Sequence, residues 1–63
     1  MKDLQALFMK KYANLPSGAR EEIIAVVDDA PFTWNSAMIE IHRDKPTPKG
    51  EKILKQLEEL KIL

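Results

Sequence analysis

Five residues in the middle of the chain carry side chains suited to chemistry: Asp28, Asp29, Glu40, His42 and Asp44. Paired carboxylates with an imidazole can hold a divalent cation, and an imidazole beside a carboxylate can act as a general base. The spacing supports neither. No metal-ligand interval is present, and one histidine without any cysteine does not build a zinc site. Adjacent aspartates after an apolar run serve a helix end or a turn, and a histidine near a helix end faces water. Ser17 and Ser36 lack the flanking glycines of a nucleophile elbow. Gly18 and Gly50 are the only glycines, too few for a phosphate-binding loop. Ser17-Gly18 could offer free amides to an anion at a helix start, but simple capping explains the pair as well. Phe32 and Trp34 have faces on which a base could stack, yet a chain with four aromatic residues needs both for its core. The residues point to no catalytic group, no cofactor and no metal, and so to a protein that is not an enzyme.

Sixty-three residues allow one domain. A chain of this size buries only about 60% of the surface its unfolded form exposes, so its core is thin. Without cysteine there is no disulfide to staple it, and the composition fits a cytoplasmic protein. Ten basic residues cancel ten acidic ones. Residues 1–22 carry four positive and three negative charges, residues 23–43 one and three, and residues 44–63 five and four. Nucleic-acid binding draws on phosphate neutralisation, so this balance disfavours it. No apolar run approaches the roughly 20 residues that span a bilayer. The start Met1-Lys2-Asp3-Leu4 does not read as a secretory signal, and no membrane association is expected.

The elements follow from periodicity and punctuation. Leu4, Leu7, Phe8, Tyr12 and Leu15 recur at helical spacing, with Asp3 before them and Asn14 and Pro16 closing the run. Ser17 can cap a second helix with Ala19, Ile23, Val26 and Val27 on one face. Four of the five residues from Ile23 to Val27 are β-branched, however, and suit a strand equally. Asp28-Asp29-Ala30-Pro31 interrupts, and Thr33 caps a third helix in which Trp34, Ala37, Met38 and Ile41 form a stripe. An α-β-β-α arrangement with a hairpin over 23–42 is the competing reading. It would leave half of the second strand unpaired, which favours helix. Thr47-Pro48 gives a capping residue and a first-turn proline, and Ile53, Leu54, Leu57 and Leu60 supply the last stripe. Gly50 in that first turn implies a close approach of backbone to another element.

The segment Thr47-Pro48-Lys49-Gly50-Glu51-Lys52-Ile53-Leu54 resembles the Thr-x-x-Gly entry to the last helix of bacterial and archaeal winged-helix regulators. With residues 17–43 as two preceding helices, the resemblance implies a helix-turn-helix that reads DNA through the helix from Trp34 to Arg43. That helix offers Asn35 and Arg43 against Glu40, and no wing hairpin fits between Ile41 and Thr47. Eight residues that obey helix-capping rules do not assign the family.

The expected fold is an all-α bundle of four short helices at 3–14, 17–28, 33–43 and 47–61. Its core would comprise Leu7, Phe8, Ile23, Val27, Trp34, Met38, Ile41, Ile53, Leu57 and Leu60. Met9, Ile39, Ile62 and Leu63 fall outside the best stripes and are the candidate interface residues. Surplus apolar surface of this kind marks a protein–protein interaction module, partnered by another protein or by a second copy in a homodimer. A nucleic-acid-binding helix-turn-helix domain is the alternative.

Overall fold

Asp3 starts the first helix, its carboxylate accepting the Ala6 N–H at 3.1 Å. The computed structural model describes residues 3–63, and α1 runs over Leu4–Ala13. Lys10 and Lys11 fall in its last turn, where the helix dipole favours cations, and the Asn14 side chain donates to the Lys10 carbonyl. The helix expected at 17–28 does not form, which corrects the all-α reading. Only Ala19–Glu21 turns, as a single 3₁₀ turn, and the β-branched run that follows is extended. Strands β1 (Ile23–Val27) and β2 (Ala30–Thr33) make an antiparallel hairpin. The fold is α+β: a helix, a hairpin and two further helices.

The two aspartates are what make the hairpin. Asp28 and Asp29 adopt φ of 53° and 64°, the left-handed pair of a two-residue type I′ turn. Aspartate tolerates this region better than most side chains because its short carboxylate can bond locally. The competing α+β reading is right in class and in its hairpin, but the extent of 23–42 is corrected, since β2 ends at Thr33. Thr33 closes the strand and caps the next helix in one residue. Its hydroxyl accepts the Ser36 N–H at 3.0 Å, and the Ser36 hydroxyl accepts the Thr33 N–H at 2.8 Å. No unpaired strand is left over, because the chain converts directly to α2 (Trp34–Ile41).

Helix α2 lacks a glycine stop, and α1 provides one from a distance. The Gln5 side chain donates to the carbonyls of Ile41 (2.7 Å) and Arg43 (2.6 Å). After a short bend, α3 spans Pro48–Glu59. Thr47 caps it, accepting the Gly50 N–H at 3.0 Å while its hydroxyl donates to the Glu40 carboxylate at 2.8 Å. The Thr47 N–H donates to the Glu40 carbonyl at 2.9 Å. Gly50 lies against that same carbonyl, and a Cβ there would overlap the oxygen. The close approach expected at Gly50 is therefore present, and capping with tight packing accounts for the Thr-x-x-Gly spacing. The helix pair over 17–43 required by the winged-helix resemblance is absent.

The buried cluster comprises Phe8, Ala25, Val27, Trp34, Ala37, Ile41, Ile53, Leu54 and Leu57. Trp34 sits at its aromatic centre, 5.3 Å between ring centroids from Phe8. Ile23 and Leu60 were expected inside and are exposed, while Leu7 and Met38 are half-buried. Ala25, Ala37 and Leu54 take their places. A β-bulge explains Ile23: Ala25 pairs with Phe32 and Ile23 with Thr33, so Ile24 is the extra residue. The slip turns Ile24 and Ala25 both inward and sends Ile23 out.

Two substitutions test this account with opposite signs. Gly50→Ala adds a good helix former, worth up to about 1 kcal/mol by propensity. It should nevertheless lower Tm, because overpacking against a backbone carbonyl costs about 1–3 kcal/mol. Asp29→Gly should raise Tm by a few degrees in a thermal melt, since it relieves about 0.5–1 kcal/mol of left-handed strain. A stabilised Gly50→Ala or a destabilised Asp29→Gly would contradict the corner and the turn respectively.

Candidate functional site

The side chains with chemical potential are dispersed. Asp28 and Asp29 occupy the hairpin turn, and Asp28 forms an exposed ion pair with Lys52 at 3.3 Å. Glu40 is engaged with Thr47, His42 is the exposed C-cap residue of α2, and Asp44 is exposed in the bend before α3. No group of three or more metal-ligating side chains assembles among the described residues. Ser36 belongs to the capping box, and Ser17 lies in the turn before the 3₁₀ segment. Trp34 is buried and Phe32 half-buried against the core.

Of the candidate interface residues, Ile39 stands out from α2 at 64% exposure. Met9, Ile62 and Leu63 are half-buried against the core. The C-terminal pair is held by a Schellman motif. Lys61 takes a φ of 62°, its N–H donates to the Glu58 carbonyl, and the Ile62 N–H donates to the Leu57 carbonyl at 2.9 Å. The turn folds Ile62 back toward the helix, the hydrophobic contact that usually accompanies this cap.

A second apolar surface includes two residues, Ile23 and Leu60, that were expected in the core. Ile23, Val26 and Leu60 are 64%, 55% and 58% exposed. Their arrangement follows from how α3 lies along β1. The Gln56 side chain donates to the Val26 carbonyl at 3.0 Å and accepts the Val26 N–H at 2.9 Å. A side-chain amide thus takes the position of a neighbouring strand. Lys52, one turn earlier, meets Asp28, two residues later. Four helical residues advance about 6 Å and two strand residues about 6.6 Å, so Leu60 falls level with the start of β1. Across the hairpin, Val26 pairs with Pro31, which is also exposed. Opposed residues share a face, so Pro31, Val26, Ile23 and Leu60 form a strip along the seam of hairpin and helix.

The strip is flanked by acids on the hairpin side. Residues 21–29 carry Glu21, Glu22, Asp28 and Asp29 and no base, while Leu60 lies between Glu59 and Lys61. Residues 3–20 instead carry Lys10, Lys11 and Arg20 against Asp3. Arg20 is occupied: its Nε donates to the Tyr12 carbonyl at 3.1 Å and its guanidinium lies 4.2 Å from the Tyr12 ring centroid. Lys10 and Lys11 are exposed and flank a shallow depression of about 460 Å³, with Leu7, Leu15 and Asn14 as its other walls.

The signal for the strip was present but unread. Once Asp28-Asp29 is taken as a two-residue turn, Val26 must oppose Pro31 and the two share one face. No protein-family model matches the chain, and no match emerges among curated proteins or solved structures. No helix among the described residues is long and apolar enough to cross a membrane.

The Gln56 clasp can be checked directly. Gln56→Leu keeps the stem and removes both hydrogen bonds, so the Val26 amide should exchange with solvent at least several-fold faster. Stability should fall by about 0.5–1.5 kcal/mol. Unchanged Val26 exchange would mean that the clasp does not hold β1 to α3.

Proposed function

We propose that this protein is a non-enzymatic protein–protein interaction module whose docking surface is the strip of Ile23, Val26, Pro31 and Leu60. The observation that carries the reading is the exposure of three large aliphatic side chains, Ile23, Val26 and Leu60, which the register of α3 along β1, set by the Gln56–Val26 hydrogen bonds, places near one another. A contiguous apolar patch with a polar rim is what a docking site requires, whereas scattered single exposed residues are ordinary. The patch sits on rigid elements. Gln56 holds β1 to α3, and the bulge fixes the outward turn of Ile23. Main-chain strand addition is not the mode of contact, because Gln56 occupies the β1 edge and Pro31 in β2 has no N–H to offer. Side chains therefore carry the recognition. Cysteine-free composition suits a cytoplasmic setting for such a module.

Site-specific photo-crosslinking in the cells that make the protein tests this reading. A photoreactive residue at Val26 or Leu60 should give a discrete adduct, while one at Lys49 should give none. The same positions tolerate polar substitution: Val26→Thr and Leu60→Ser should change stability by no more than about 0.5 kcal/mol, since both side chains are already in water. Equal labelling at all three positions, or none at Val26 and Leu60, would remove the strip as the docking surface.

A further inference from the structure

We infer that the partner seated on the strip is a second copy of this chain, presenting the depression between Leu7 and Leu15 at the C-terminal end of α1. The inference rests on the docking reading above and adds the occupant. Its basis is that one chain carries two surfaces of matching chemistry. The strip is apolar; Glu22 and Asp29 lie at its hairpin side and Glu59 beside Leu60, which Lys61 follows. The depression has an apolar wall of Leu7 and Leu15 and a basic lip of Lys10 and Lys11. Asp28 pairs with Lys52 and Arg20 is held on Tyr12, while neither Lys10 and Lys11 nor Glu22, Asp29 and Glu59 make an ion pair among the described residues. Apolar strip on apolar wall, with Glu22 and Glu59 toward Lys10 and Lys11, would exclude water from the aliphatic contacts and set the orientation by charge. Zero net charge removes the long-range repulsion that otherwise keeps like molecules apart. A patch of four side chains is small beside a permanent interface, so the association is weak and depends on concentration.

Opposite charges on the two surfaces allow a reciprocal test. Sedimentation of the parent protein at rising concentration, up to millimolar, should show reversible association that weakens with added salt. Lys10→Glu with Lys11→Glu should weaken association by roughly tenfold or more, and Glu22→Lys with Glu59→Lys by a similar factor. All four positions are exposed, so both variants should keep the parent circular dichroism; the lysine reversals should lower Tm somewhat, because they place acids in the last turn of α1. The decisive sample is the equimolar mixture of the two double variants. In it the acidic strip of one meets the basic lip of the other, and the reversed pair matches as well, so association should return. A mixture that stays as monomeric as its components overturns the inference. Two outcomes overturn it while leaving the docking reading intact. One is parent association that Val26→Asp abolishes but neither charge reversal affects. The other is a parent monomeric at millimolar concentration whose Val26 crosslink joins a chain of a different mass. Absence of both association and crosslinking would end the docking reading too.

Discussion

The contact between Gly50 and the Glu40 carbonyl sets the position of α3, and α3 sets nearly everything else. The last turn of α2 approaches the first turn of α3 so closely that no side chain fits between them. Thr47 closes the corner from three directions, through its N–H, through its hydroxyl as donor and through the same hydroxyl as acceptor. The junction thus gives partners to a carbonyl in the last turn of α2 and an amide in the first turn of α3, which matters because unpaired terminal groups are costly once shielded from water. From that corner α3 presents Ile53, Leu54 and Leu57 to the core and Gln56 to β1. Three of its side chains are thereby committed to packing and one to holding a two-stranded sheet that would be marginal alone.

Economy of this kind recurs through the chain. Gln5 stops α2 from across the molecule, Arg20 stops α1 while lying on Tyr12, and Thr33 ends a strand as it begins a helix. A domain with a thin hydrophobic core gains stability from such dual roles, since each ordered side chain satisfies two demands for one loss of rotamer freedom. The aromatic pair Phe8 and Trp34 fills the volume that longer elements would otherwise supply.

What the sequence makes visible divides along the same lines. Local chemistry was legible: Asp3, Thr33 and Thr47 cap helices, Asn14 and Pro16 end the first one, and Gly50 marks a close approach. Helices α1 and α3 appear where periodicity places them, apart from their last residues. The hairpin was not legible, because its evidence is not local to either strand. Ile23–Val27 fits helix or strand equally, and β2 is too short to show a period. The decision rests on Asp28 and Asp29 entering the left-handed region together and on the pairing of Val26 with Pro31. The core list failed at Ile23 and Leu60 for this reason, since both lie on the helix–strand seam that the all-α reading lacks.

That seam also explains why a chain with so thin a core leaves apolar residues outside it. In a helix, the run Ile23-Ile24-Ala25-Val26-Val27 could have turned most of its side chains toward one broad buried face. In a strand, successive side chains alternate, and five consecutive apolar residues cannot all point inward. The bulge at Ile24 does not reduce the number that face out; it chooses which ones. Without it Ile24 and Val26 would be outside, and with it Ile23 and Val26 are, bringing the outward pair level with Leu60 on one side and Pro31 on the other. Among the described residues no further element covers that face. The exposed strip is thus the direct consequence of an apolar run adopting strand geometry in a domain with one helix beside it and none above it.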